Sequence, residues 1–247
     1  MSRAPAFDQQ RLLDVQALDT RLQQLAHRRR SLPEHARLQS LGADQAARRS
    51  RLVEAETHVW DLQRELRKAE ADVEQVRTRA KRDQARLDAG TGSARDLQAI
   101  QHELGSLARR QSELEDVELE VMERLELTQA RVSEAAAELA AGDREAADLT
   151  ASRNSATTAI DSEAAGVTAE RDQIGAGLDA ALVTLYDKVR GASGGLGAAA
   201  LRARRCEGCR LELTPVDLGR IKAAPADEVL RCEECRRILV RVPESGG

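Results

Sequence analysis

The sequence predicts a mainly α protein: a long antiparallel coiled-coil helical hairpin, followed by a small C-terminal β module built around four cysteines. Three observations carry that reading. Of 247 residues, 41% are hydrophobic and 32% charged but only 1% aromatic, with Trp60, Tyr186 and Phe7 the single residues of their types. Three rings cannot fill the core of one globule this long, where buried rings usually remove much of the apolar area from water. Leucine and alanine recur at heptad spacing along most of the chain, as in helices that wind around one another. Finally, the cysteines, Cys206, Cys209, Cys232 and Cys235, all fall near the end of the chain.

The first helix is expected from about Asp8 to Ser31, with Val15, Leu18, Leu22 and Leu25 on one stripe. Pro33 interrupts it. From about Glu34 to Asp88, Leu52, Val59, Leu66, Val73, Ala80 and Leu87 take heptad position a. Ala55, Leu62, Ala69, Val76 and Asp83 take d, Asp83 being the one polar intruder. Trp60, beside Val59, is expected to lean across this seam. Ala89-Gly90-Thr91-Gly92-Ser93 reads as the hairpin tip, with Ser93 capping the returning helix.

On the return arm Leu97, Leu104, Leu125, Val132, Leu139 and Ala146 fall at a, interrupted by Gln111 and Glu118. Ile100, Leu107, Leu114, Val121, Thr128, Ala135 and Leu149 fall at d, with Gly142 among them. Ile160, Val167 and Ile174 continue the series more weakly past Arg153, Glu163 and Glu170. Leu178, Leu182, Leu185 and Val189 then shift register. A fully helical arm would be about 120 Å long. Folding back within one chain sets the acidic Glu113-to-Glu126 run against Arg64, Arg67 and Lys68, whereas a parallel homodimer would place like charges together. Association of two folded hairpins stays open. Phe7 and Tyr186 should meet where the arms end.

The expected organisation is a hairpin over 1–190 with its tip near 89–93 and a kink near 33, a Gly-rich linker over 191–197, and a cysteine module over 198–247. The Gly-rich stretch lacks the Gly-Lys-Ser/Thr of a phosphate-binding loop. Cys206-Glu-Gly-Cys209 and Cys232-Glu-Glu-Cys235, 22 residues apart, form two turns that each bring two sulfurs to one point. Four thiolates close a tetrahedron around one Zn²⁺, a structural site with no open position. Val229-Leu-Arg and Ile238-Leu-Val-Arg-Val242 have strand character, and the spacer has room for a β-hairpin, so the module reads as a zinc ribbon. A redox dithiol fits less well, lacking a βαβ context; an iron–sulfur cluster is the other alternative. About 50 residues without an aromatic ring need the metal to fold. After each second cysteine, where glycine is common, stand Arg210 and Arg236, so these turns should be strained or differently shaped.

On these residues the chain resembles a bacterial family of C4-type zinc-ribbon proteins with an N-terminal coiled-coil hairpin. The resemblance is carried by the Leu32-Pro33 break, the Gly90-to-Ser93 tip, Asp96-Leu-Gln-Ala-Ile-Gln-His-Glu-Leu104, the Leu114-Glu-Asp116 run, and Cys232-Glu-Glu-Cys235-Arg-Arg-Ile-Leu239. The preference for arginine over lysine resembles actinobacterial members. The resemblance implies a ribbon docked near the open end of the hairpin and zinc ligation by the four cysteines. It also implies an adaptor role: relatives in other phyla act in flagellar gene regulation or secretion, binding an alternative sigma factor and in one case messenger RNA. The partner itself does not carry over.

Net charge is −4, which marks neither a strong nucleic-acid binder nor an acidic tail. No apolar run is long enough to span a membrane and the first ten residues lack a secretory h-region, so a cytoplasmic protein is expected. His27, His35, His58 and His102 pair with no nucleophile, and no hydrolase, dinucleotide or metalloprotease motif occurs, so no enzyme is expected. The leading reading is a non-enzymatic adaptor or scaffold that binds protein. The alternative is nucleic-acid binding through Arg202, Arg204, Arg205, Arg236, Arg237 and Arg241 of the ribbon and Arg77, Arg79, Lys81, Arg82 and Arg86 near the tip. From Arg190 onward there are 11 Arg and Lys against 8 Asp and Glu. Four thiolates with Zn²⁺ reduce that excess to about +1, and the ribbon has no ring to stack on bases.

Overall fold

The computed structural model describes residues 2–243 and 245. The elements run α1 (Ala6–Arg30), α2 (Pro33–Asp88), α3 (Ala94–Ala176), α4 (Ala180–Ala192), β1 (Ala198–Arg202), β2 (Arg205–Cys206), α5 (Pro215–Ala223), β3 (Leu230–Arg231) and β4 (Ile238–Arg241). They fall into two compact units: a hairpin unit, Ala36–Thr150, and a base unit containing the chain up to His35 and from Ala151 onward.

In the hairpin unit, every a and d residue assigned above on α2 and α3 is buried or half-buried. The same register extends upstream on α2 through Leu38, Leu41, Gln45 and Arg48, where two polar residues hide the repeat. These two polar side chains lie over Gly142 of α3, in the space a Cβ there would fill. Gln45 donates to the Leu139 carbonyl (3.4 Å) and to Asp143 (2.6 Å), and Arg48 to the Glu138 carbonyl (3.4 Å). Apolar packing is thus replaced by hydrogen bonds to the backbone at one layer, a device that specifies register.

Cross-helix ion pairs flank the seam: Arg37–Glu145 (2.6 Å), Arg51–Glu138 (3.4 Å), Arg77–Glu115 (2.7 Å), Arg79–Glu103 (2.7 Å) and Arg124–Glu65 (3.4 Å). In four of the five the arginine is on α2 and the acid on α3. Arg124–Glu65 and Arg77–Glu115 set the acidic run against the 65–77 stretch of α2, while Arg64 itself pairs with Asp61 of its own helix. Asp83 sits in the seam between Arg79 and Arg86. Trp60 does not lean inward. One position beyond a, its ring is directed to solvent, 71% exposed.

At the tip, Gly90 (φ 62°) and Gly92 (φ 135°) turn the chain through conformations that glycine tolerates. Ser93 then begins α3 in a reciprocal cap. Its backbone N–H and hydroxyl donate to the Asp96 carboxylate (3.0 and 2.7 Å), and its Oγ accepts from the Asp96 N–H (3.3 Å). Those bonds hold the Asp96 carboxyl below its usual pKa.

In the base unit, α1 stops where the Ser31 hydroxyl and N–H both turn back to the His27 carbonyl, and Pro33 starts α2. Leu25, Leu32 and Ile160 pack together at this break. The strands form one sheet in the order β2-β1-β4-β3, with β1 and β4 parallel and the outer pairs antiparallel. Because side chains alternate along a strand, this sheet serves two clusters. Ala198, Ile238 and Val240 join Leu12 and Val15 of α1 and Leu182, Tyr186 and Val189 of α4. Ala199, Leu201 and Leu239 join Leu218 and Ile221 of α5 with Cys206 and Cys232.

Three expectations are corrected in this unit. The spacer between the cysteine pairs holds a helix, α5, started by Thr214 accepting from the Asp217 N–H (3.1 Å) and by Pro215 in its first turn. The Gly-rich 191–197 stretch is not a loose tether: the Gly195 carbonyl and the Gly197 N–H are bonded to Gln16. Phe7 is 67% exposed beside Arg11 and lies outside the cluster that buries Tyr186.

Candidate metal centre and the polar clamp behind it

The two cysteine turns are copies of each other. In each, the N–H of the first cysteine donates five residues ahead, Cys206 to the Leu211 carbonyl (3.1 Å) and Cys232 to that of Arg237 (3.0 Å). The residue after the second cysteine donates back, Arg210 to the Cys206 carbonyl (2.7 Å) and Arg236 to that of Cys232 (2.9 Å). Arg210 and Arg236 both have φ 62°. The strain anticipated from the absence of glycine is therefore present at both turns.

This repetition brings the four sulfurs together. All lie within 4.8 Å of one another, Cys206 Sγ to Cys235 Sγ at 3.8 Å and Cys209 Sγ to Cys232 Sγ at 3.9 Å. Sulfurs about 2.3 Å from a tetrahedral Zn²⁺ would be separated by about 3.8 Å. Backbone N–H groups of Gly208 and Cys209 point at the Cys206 sulfur, and those of Glu234 and Cys235 at the Cys232 sulfur. Burial, with the neighbouring cysteines adding to it and the backbone N–H groups opposing it, pushes the Cys206 thiol up to about 12, and burial raises Cys232 as well. Four converging soft sulfur donors suit a divalent metal, whose charge stabilises the thiolates. The four cysteines are positioned to bind one structural Zn²⁺.

Arg237 and Arg241 are not on a contact face, which corrects their reading as candidate nucleic-acid or partner residues. Arg237 donates to the carbonyls of Ser193 (3.2 Å), Leu196 (3.0 Å) and Gly208 (3.3 Å), tying the second knuckle's end to the first knuckle and to the end of α4. Arg241 donates to the carbonyls of Ala224 (2.9 Å), Pro225 (2.7 Å) and Ala226 (2.9 Å) behind α5. Guanidinium groups spent on backbone carbonyls have little left for a ligand. Of the other candidates, Arg202 pairs with Glu207, Arg204 with Glu212 and Arg236 with Glu233. Near the tip, Arg77, Arg79 and Arg86 serve the ion pairs already described, and Lys81 and Arg82 are exposed.

A second polar cluster was not anticipated. Asp19 of α1 is 1% exposed; it accepts from the Tyr186 hydroxyl (2.7 Å) and is paired with Arg190 (3.1 Å) and Arg171 (3.4 Å). Burial and that carboxylate together push the Tyr186 hydroxyl pKa far upward. One turn earlier, Gln16 Oε1 accepts from the N–H groups of Gly197 (2.6 Å) and Ala198 (3.2 Å) at the start of β1. Two α1 side chains thus fix α4 and the first strand, and Arg237 fixes the knuckles to the same stretch. Polar residues at 16 and 19 beside Leu12 and Val15 were the available signal, on the buried stripe of the helix.

Among the described residues no helix is long and apolar enough to cross a membrane. The chain matches the CT398-like coiled coil hairpin domain over residues 15–194 and the C4-type zinc ribbon domain over residues 205–239. It is 37% identical over 243 residues to an uncharacterised protein of Mycobacterium tuberculosis, covering 97% of this chain and 98% of that one. A solved structure from Mycobacterium smegmatis superposes with a TM-score of 0.83 at 36% identity, over 97% of this chain and 100% of that chain. CT398 from Chlamydia trachomatis, at 17% identity, shares the fold with a TM-score of 0.65 over 95% of this chain and 98% of that chain. Coiled-coil hairpin and zinc ribbon together fit a scaffold-like protein and are not a known enzyme family. With its heptad seam, Ser93 tip and four converging sulfurs, the chain belongs to the CT398-like coiled-coil hairpin proteins that end in a C4-type zinc ribbon.

Proposed function

We propose that the protein is a non-enzymatic scaffold that holds protein partners in the cytoplasm, where its thiols stay reduced and available to zinc. The supporting observation is in the hairpin unit. Val53, Trp60, Val117, Leu119, Met122 and Leu127 stand exposed outside the seam. They contribute little to helix pairing, and Trp is the residue type most enriched at the energetic centres of protein interfaces. Trp60 and Val53, one heptad apart, share a face of α2.

The test is affinity capture from lysate with wild-type protein, Trp60→Ala and Cys232→Ser, each with and without nuclease. Trp60→Ala should change stability by less than about 0.5 kcal/mol, as expected of a surface position. It should nevertheless lose the captured proteins, and nuclease should not release the proteins that wild type holds. Release by nuclease would favour the nucleic-acid reading, in which Arg205 of the ribbon and Lys81 and Arg82 near the tip would meet phosphates. Undiminished capture by Trp60→Ala would remove the supporting observation.

A further inference from the structure

We infer that the first cysteine turn is a docking site for an acidic, partly apolar peptide segment of a protein partner, held by Arg205 and Arg210. The inference rests on the scaffold reading and gives one partner surface its chemistry. Among the described residues, positive φ outside glycine occurs only at Ala203 (46°), Arg204 (66°), Arg210 (62°) and Arg236 (62°). Glycine accepts this conformation readily and a residue with a Cβ does not. Retained strain of this kind points to a role for the side chain. Arg204 and Arg236 have partners in Glu212 and Glu233. Arg210 has none: among the described residues its guanidinium makes no hydrogen bond or ion pair, and neither does that of Arg205.

Arg202, Arg205 and Arg210 line one open cleft of about 550 Å³, with Glu207 the one acid among the described residues that line it. Leu211, the next residue of the chain after Arg210, is 51% exposed, its carbonyl held by the Cys206 N–H, and lines the neighbouring cleft toward α5. The equivalent residue of the second turn, Arg237, points inward and is bonded to three carbonyls. The two turns are alike in backbone, yet the first exposes outward the position that the second uses for internal bonding.

The occupant follows from charge complementarity. Two guanidiniums without partners among the described residues suit carboxylates, which they can grip with two parallel bonds, and exposed Leu211, one residue along the chain from Arg210, offers an apolar contact. A nucleic acid fits less well. Residues 198–247 contain no aromatic side chain for base stacking. Glu207, Glu212 and Glu233 interrupt the arginines, leaving no continuous row to follow a phosphate backbone.

A random peptide library displayed on phage and selected on the zinc-loaded full-length protein tests the site. Enriched sequences should combine Asp or Glu with Leu or Val. A synthetic peptide from that pool should bind about tenfold more weakly, or worse, to Arg205→Ala and to Arg210→Gly, the loss expected when a charge-assisted hydrogen bond disappears. Arg210→Gly should at the same time melt at a higher temperature, because it relieves the backbone, whereas a purely structural arginine would lose stability and binding together. Enriched peptides without acidic bias, or undiminished binding by Arg210→Gly, overturn the proposal. So does a thirty-residue oligothymidylate that binds more tightly than the peptide. If no peptide is enriched while Trp60-dependent capture persists, this site falls and the scaffold reading stands; if both fail, both fall.

Discussion

The hairpin unit and the base unit hold together in opposite ways. In the hairpin, stability is spread along a repeating seam of half-buried leucines, valines and alanines, with ion pairs that are exposed and individually weak. In the base, it is concentrated: four sulfurs, one fully buried carboxylate and two arginines bonded to carbonyls join elements far apart in sequence. Distributed contacts tolerate the loss of any one member. Concentrated ones do not, because removing a partner leaves buried polar groups unsatisfied.

The largest difference should appear on metal removal. Structural zinc contributes on the order of 10–16 kcal/mol of apparent binding energy in small fingers. Chelation, or Cys206→Ser, should therefore expose residues 198–241 to proteolysis while the helical circular-dichroism signal of the hairpin unit persists. Concerted loss of both would show that the hairpin depends on the ribbon. Next comes Asp19→Ala, which removes the shorter hydrogen bond of the Tyr186 hydroxyl and one partner each of Arg171 and Arg190, leaving Gln16 to the first and Asp187 to the two guanidiniums. It should cost about 2–3 kcal/mol in denaturant unfolding, against less than about 1 kcal/mol for removing the exposed Arg77–Glu115 pair.

Truncating one leucine in each unit gives a smaller contrast. Leu182→Ala, at a fully buried position, should cost about 2–5 kcal/mol. Leu66→Ala, half-buried in the seam, should cost clearly less, because part of its area stays in water either way. Equal losses would break the comparison. The smallest effect concerns the tip. Asp96 has a folded pKa below its ordinary value, so its capping contribution is complete above the unfolded carboxylate pKa of about 3.9. It is lost as pH falls through the lower folded value. The protection of the Ser93 and Asp96 amides, measured against their intrinsic exchange rates, should therefore fall in acid below about pH 4, and Asp96→Asn should remove that acid dependence.

The same contrast explains what could be read from the amino acids alone. Heptad spacing has a period, so the seam from Leu52 to Leu149, the glycine tip and the Ser93 cap follow from it. The paired Cys-x-x-Cys spacing gives the metal centre, and arginine in the place of glycine gives the positive φ at 210 and 236. What failed was non-periodic. Ala198-Ala199-Ala200 has no strand propensity and becomes a strand only by pairing with β4. The spacer helix was hidden by the expectation of a hairpin, although Thr214-Pro215 followed by Asp217 is a helix start. Gln16 and Asp19 look like the polar side of a helix until distant residues bury them. Arg237 and Arg241 carried a surface charge pattern, but their donors belong to carbonyls of the ribbon itself.

One consequence follows from the sheet that has a hydrophobic cluster on each face. Strand β4 sends Ile238 and Val240 toward α1 and α4, and Leu239 toward α5 and the cysteines. A ribbon excised at Ala198 would therefore carry an oily underside with nothing to cover it. Grafting this ribbon onto another protein would require transplanting α1 and α4 along with it, so the unit that can be exchanged among relatives is larger than the stretch between its first and last cysteine.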